Sequence, residues 1–285
     1  MHSDEIYALR PTAVQRHFGV GSRALVLSGT ALVEAAAAAQ VGTVAVEVDR
    51  FEVLPGVLRA CEDLDAALTV IAGSFWDGEG SRQAALTTSS AVVRGADAVH
   101  FGAPLVLATV VDAALGGMPV DLAGEILHDV IDAGFTSFLF PIPQAQDELH
   151  RTLALMQVVA EFGLGIELVD LPAGSADRVL DLFARCGLAP STLTEAGASH
   201  ASLVVDGVMV SPELAHRRLL SGETFLRIIA RSLEVDDDEA LFAPIDAITR
   251  DRIEGVTYAE VRLALRKHGL LGSGSSCLAS LTWME

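Results

Sequence analysis

Four side chains able to hold a metal or move a proton stand in or at the end of short apolar runs. They are Glu47 in Thr43–Val48, His100 in Ala98–Phe101, Glu167 in Ile166–Val169 and Asp206 after Ser202–Val205. Short apolar runs of this kind read as buried strands, whose side chains alternate between two faces. Turning Val44, Val46 and Val48 towards a helix layer leaves Ala45, Glu47 and Asp49 facing inward. The same parity turns His100 and Glu167 inward. With Leu203 and Val205 placed outward, Ser202, Val204 and Asp206 also face in. Several carboxylates buried together repel one another and need a positive partner. Two or three carboxylates with one imidazole suit a divalent ion such as Mg²⁺, Mn²⁺ or Zn²⁺.

That constellation carries three readings. In the first, Glu47, His100, Glu167 and Asp206 hold a divalent metal, and Asp49 or Glu195 acts as base in a lyase or isomerase. The metal then polarises a carbonyl or steadies an enediolate of a small oxygenated substrate. In the second, no metal is used, and Glu47 and His100 form an acid–base pair for elimination, isomerisation or cyclisation. In the third, the protein binds or scaffolds without chemistry, and its acids cap helices or pair with arginines such as Arg50 and Arg82. The remaining candidates for substrate contact are Ser28, Arg50, Ser74 and Trp76, each just past a predicted strand. No nucleotide cofactor is expected, because the turn Ser28-Gly29-Thr30 is not GxGxxG and no P-loop occurs.

The elements that must position these residues repeat one phrase: a helix-like segment, a glycine, then a short apolar strand. Gly42, Gly95, Gly134, Gly163 and Gly187 each stand at such a junction, where a left-handed helix cap favours glycine. Adding Ala24–Ser28, Ala67–Ser74 and Ser202–Asp206 brings the predicted strands to eight, alternating with helices over about 230 residues. This predicts an α/β fold of the (β/α)₈ TIM-barrel type, whose chemistry gathers at the C-terminal ends of the strands. The barrel is assigned to residues 1–235. Residues 236–285 are assigned to a helical extension and tail, packed on the barrel or on a partner subunit. Arg217-Arg218 is placed in the eighth helix. Thr257-Tyr258-Ala259-Glu260 reads as a capping box opening a helix to Lys267, and Gly272–Ser276 as a flexible linker.

Composition narrows the partners. The formal net charge is −19 and Lys267 is the single lysine, which disfavours nucleic acid and anionic membranes. The acidic start Met1-His2-Ser3-Asp4-Glu5 is unlike a signal peptide, and Cys61, Cys186 and Cys277 form no CxxC. A cytoplasmic location with reduced, buried thiols is therefore expected.

Two stretches, Phe75-Trp76-Asp77-Gly78 and Val92-Val93-Arg94-Gly95-Ala96-Asp97, resemble the deoxyribose-phosphate aldolase family. That family has a Phe-Pro-x-Gly turn and then a helix ending in Gly-Ala-Asp. Gly274-Ser275-Ser276-Cys277-Leu278 is loosely similar to its phosphate-site segment. The resemblance implies a (β/α)₈ barrel and carbonyl chemistry. Those aldolases use a barrel lysine as Schiff base, whereas Lys267 lies in the extension here, so no residue roles follow from the likeness.

A homodimer built partly by the extension is also expected. Leu278, Leu281, Trp283 and Met284 make an apolar tail. Such side chains gain about 1.5–3 kcal/mol each on burial, against their own barrel or a second copy.

Overall fold

The computed structural model describes residues 8–19, 21–48, 50–73, 81–111, 115, 118–143, 145–198, 200–210, 216–220, 227–228, 232 and 245–281. The chain builds one mixed sheet wrapped by helices. A short helix α1 (Thr12–Phe18) precedes α2 (Gly29–Ala39). Strand β1 (Thr43–Val48) leads through a 3₁₀ turn (Phe51–Val53) into α3 (Leu54–Asp63). There follow β2 (Leu68–Ala72), α4 (Ser81–Ala98), β3 (Leu105–Val110), α5 (Val120–Asp132), β4 (Ser137–Pro141) and α6 (Gln146–Glu161). Next come β5 (Gly165–Leu171), α7 (Ala176–Arg185) and β6 (Thr192–Glu195). The chain then runs through β7 (His200–Val205), β8 (Val208–Met209) and β9 (His216–Leu220) to α8 (Ala247–His268) and α9 (Ser273–Leu281).

Strands β1 to β6 pair in chain order, all parallel. β9 adds parallel to β1, and β7 lies antiparallel between β9 and β6. The sheet thus curls until its two arms meet through β7. The fold is α/β and barrel-like, with helices at the C-terminal end, as expected. The regular eightfold strand–helix repeat is not.

Three departures have physical causes. The expected first strand, Ala24–Ser28, makes only one parallel bridge, Val26 with Leu105. It does alternate like a strand, with Leu25 and Leu27 in the inner core and Ala24 and Val26 in the outer. The expected strand at Ala98–Phe101 is the end of α4 and the turn after it. The strand itself is β3, which begins after Pro104. Third, Asp206-Gly207 is a tight turn with both residues at positive φ, 52° and 74°. That is the demand of a hairpin turn, and it sends the chain back as β8. β9 then contains Arg217 and Arg218, which are strand residues rather than helical ones.

Two apolar cores lie on either side of the sheet. Val44, Val46 and Val48 face the outer core with Leu68, Val70, Phe138, Phe140, Ile166 and Leu168. Ala45, Ile71, Val106, Ala108, Leu139, Val169 and Leu203 face the inner one. α2 belongs to that inner core through Leu32, Val33, Ala35 and Ala36. Its sequence, GTALVEAAAAA, is apolar on nearly every side because it is covered twice, by the strands and by α9. Ser28 caps it, accepting from the Ala31 N–H at 3.1 Å.

The extension seats on its own chain. Asp246 caps α8 by accepting from the Thr249 N–H, and Gly269 ends it at φ 67°. Thr257 is therefore a buried residue in mid-helix, not the opening of a capping box. α8 lies across α3 at Gly56, where a Cβ would stand 2.5 Å from the Glu254 carbonyl oxygen. The expected linker is instead the start of α9. There the Ser273 hydroxyl accepts from the Ala67 N–H at 3.0 Å, and Asp65 accepts from the Ser275 N–H. Leu281 is buried and Leu278 packs on the inner core, whereas Trp283 and Met284 lie outside the described residues.

Two glycines of this interface should respond oppositely to alanine. Gly56→Ala overpacks the α3–α8 crossing and should cost about 1–3 kcal/mol. Gly255 has open space where its Cβ would stand, so Gly255→Ala should gain about 0.5–1 kcal/mol from helix propensity. Thermal melting of the two variants reads both signs.

Candidate active site at the strand ends

The two ends of the sheet differ in kind. At the N-terminal ends, α2 enters the inner core and α9 covers it. A Cβ at Gly29 would run into the Ser137 side chain, and one at Gly165 would meet the Gly29 backbone at 2.7 Å. This end is packed shut. The C-terminal ends carry titratable side chains instead.

The four expected metal ligands are not brought together. Glu47 faces inward on β1, half-buried, opposite Ile71 in register. Glu167 faces inward too, but deep in the core, 5% exposed. Ser137 Oγ donates to its Oε1 at 2.6 Å and Thr192 Oγ1 to its Oε2 at 3.3 Å. These hydroxyls tie β5 to β4 and β6. The start of α2 packs on Ser137, so the positive end of that helix lies beside the pair. His100 is exposed at φ 58°, in the turn before β3, at the N-terminal end of the sheet. Asp206 is exposed in the β7–β8 turn, also at that end. Its burial parity is reversed: Leu203 packs in the inner core and Val204 in the outer. The outward assignment of Leu203 and Val205 failed because the inner core is itself apolar, filled by α2, so apolar side chains do not mark the helix-facing side. Among the described residues no group of three or more His, Cys, Asp or Glu side chains gathers closely enough to hold a metal ion.

The other expected site residues divide. Asp49, Ser74 and Trp76 lie outside the described residues. Ser28 is a buried helix cap. Arg50 follows β1 and grips Glu52 with two nitrogens, at 2.9 and 3.1 Å. This pairing holds the Glu52 carboxyl below its ordinary range. Glu195 does stand at the strand ends. It closes β6, is exposed, and accepts from the Gly174 N–H at 2.9 Å.

Sequence reasoning missed two neighbours of Glu195. Asp170 sits near the end of β5 at φ 58°, inside a register shift between Leu168 and Leu171. A non-glycine residue in that region is strained, and a bulge of this kind re-aims a side chain. The next residue, Leu171, pairs with Glu195. His200 opens β7 just across the short turn from Glu195 and is exposed. Three adjacent strands, β5, β6 and β7, thus present Asp170, Glu195 and His200 at the same end. The available signal was the pair Glu195 and His200 bracketing Ala-Gly-Ala-Ser, the loop of a hairpin.

The thiols are buried spectators in two cases. Burial pushes Cys61 up to about 12, and burial with the nearby Asp65 pushes Cys277 up to about 12. No described helix is long and apolar enough to cross a membrane.

The chain is similar in structure to known aldolases. It superposes on the YdjI aldolase of Escherichia coli K12 with a TM-score of 0.61 and 13% identity, over 87% of this chain and 99% of that one. The fructose-bisphosphate aldolase of Campylobacter jejuni gives 0.59 and 14%, over 87% and 96%. The likeness is one of fold. It bears out the resemblance to an aldolase-like barrel. No protein-family model and no curated sequence matches the chain.

Two measurements probe this geometry. Glu167→Ala strands the buried Ser137 and Thr192 hydroxyls and should cost at least about 2 kcal/mol. His100→Gly relieves a positive φ at an exposed turn, and its melting temperature should equal or exceed that of the wild type. Glu34, on α2, titrates above its ordinary value of 4.5, chiefly through burial and then through Asp206. A carboxyl raised on folding stabilises fully below about pH 4.5, and that contribution is lost as pH rises through the raised value. Glu34→Gln should therefore raise the melting temperature at pH 7 and leave it unchanged at pH 4.

Proposed function

We propose that the protein is a lyase acting on a small hydroxylated carbonyl compound at the C-terminal ends of its strands. The observation that carries this reading is Asp170. A strained aspartate in a bulge is costly to keep, and such strain concentrates at working sites. It stands beside Glu195 and His200 on successive strands. In a barrel the C-terminal end is where chemistry is done, and here the opposite end is packed shut.

The chemistry is proton transfer. Breaking a carbon–carbon bond next to a carbonyl needs a base to take the hydroxyl proton and an acid to protonate the carbanion or enolate that remains. Two carboxylates and an imidazole on neighbouring strands supply both. Asp170 takes the hydroxyl proton, and His200 returns a proton to carbon. Glu195, oriented by the Gly174 N–H, holds the substrate hydroxyl. The aldolase folds that this chain resembles favour the same class, each being named for this type of bond cleavage.

The scattering of Glu47, His100, Glu167 and Asp206 removes the ligand set on which a metal-assisted version was first built. A divalent ion at the strand ends would take its oxygen donors from Asp170, Glu195 or Glu47. Such an ion, Mg²⁺ or Mn²⁺ by the hardness of those donors, would supply carbonyl polarisation. Turnover before and after chelator treatment, with each ion added back, separates the two versions.

The decisive variant is Asp170→Gly, tested against a panel of β-hydroxy carbonyl compounds with aldehyde release as the readout. Glycine relieves the positive φ, so the melting temperature should rise while turnover falls by about 10²–10⁴-fold. Asp170→Asn should lose activity to the same degree. Full turnover in Asp170→Asn refutes the assignment.

A further inference from the structure

The strand ends that carry Asp170, Glu195 and His200 also limit the kind of molecule they fit. At this end of a barrel an anionic substrate group is held by backbone N–H groups at helix starts, or by lysine and arginine side chains. Here the chain's own carboxylates stand in those places. Glu195 Oε1 accepts from the Gly174 N–H at 2.9 Å, just before α7 begins. Asp177 stands in the first turn of α7 and is exposed. The first turn of α6 carries Asp147 and Glu148, and that of α5 carries Asp121, all exposed. A helix start favours such an anion, and the anion then repels a second one.

The donors of this end are engaged as well. Arg50 grips Glu52 in the turn after β1. The first turn of α4 has no acid, but its Arg82 lies 3.7 Å from Asp129 of α5. Lys267 is at the end of α8, shortly before Gly272, whose N–H donates to the Leu64 carbonyl at the closed end of the sheet. In the turns, the Val111 N–H donates to Leu139, the Ile142 N–H to Val169 and the Ser175 N–H to Pro172. The Ala196 N–H donates to Leu171, and the Ala198 N–H to Glu195. What faces solvent beside His200 is therefore a set of acceptors. A carboxylate accepts hydrogen bonds and donates none. A phosphate ester brings about two more negative charges and further acceptors, whereas a free hydroxyl brings a donor.

We propose that the substrate is an unphosphorylated polyhydroxy carbonyl compound, and that the carboxylates at the strand ends select it against its own phosphate ester. This rests on the lyase reading above and adds the substrate's charge to it. Asp170 and Glu195 accept from the hydroxyls of the free compound. Asp121, Asp147, Glu148 and Asp177, on three successive helix starts, repel a dianion as it approaches.

The test pairs short-chain sugars with their terminal phosphate esters and follows aldehyde release by the full chain, with Mg²⁺ present and after chelator treatment. The free sugar should be cleaved with a kcat/KM about 10²-fold above that of its ester, the difference lying mainly in KM. Added salt should narrow the gap by speeding the ester alone, because screening weakens the repulsion. Asp147→Arg with Asp177→Arg should narrow it about tenfold at low salt, again through the KM of the ester. Both side chains are exposed, so the circular dichroism spectrum should not change, and the milder Asp177→Asn should move the ratio in the same direction. An ester cleaved as well as its free sugar overturns the substrate class and leaves the lyase reading standing. A gap indifferent to both salt and these variants overturns the selection by carboxylates. Aldehyde release from neither member of any pair overturns the lyase reading and this proposal with it.

Discussion

The structure depends on how tightly α2 enters the sheet. Gly29 has no side chain, and Ser137 and Gly165 are small. Only that combination lets a helix begin inside the ring of strands. Once it does, the inner core is filled from one end by Leu32, Val33, Ala35 and Ala36. Glu167 then has a place to sit, between the Ser137 and Thr192 hydroxyls and beside the positive end of a helix. A buried carboxylate usually demands a countercharge. Here oriented dipoles take that part, and the ends of the strands opposite the plug are left for polar groups.

Much of the strand pattern was legible before the structure. The valines of β1 face outward and Ala45 faces inward, as strict alternation requires. Gly134, Gly163 and Gly187 hold positive φ after their helices, as a left-handed cap demands. Reading failed where a local signal competed with a longer one. Ala98–Phe101 is apolar and follows Gly-Ala-Asp, but α4 keeps its hydrogen bonding to Ala98 and uses those residues as its end. Asp206-Gly207 is a hairpin-type dipeptide, but Asp206 was read only as the end of an eighth parallel strand. Reading β7 as parallel moved Asp206 to the wrong end of the sheet.

The candidate site was less legible for a related reason. Inference from parity finds inward residues in regular strands, and Asp170 lies where β5 stops being regular. A bulge cannot be counted from alternation, because it is the place where alternation breaks. His200 was hidden by the same misreading of β7, since it starts a returning strand. Glu195 was found because it ends a regular one.

The docking of α9 has a consequence for how the chain reaches its native state. Asp65 and Ala67 stand just before β2, yet their partners are Ser275 and Ser273, more than two hundred positions later. β9, which joins the start of the sheet to its end through β7, also comes late. During synthesis on the ribosome the early strands are therefore made long before the groups that finish them. Contacts so distant along the chain slow assembly and leave apolar edges uncovered meanwhile. The base of the barrel stays open to solvent and to chaperones until β9 and α9 have emerged.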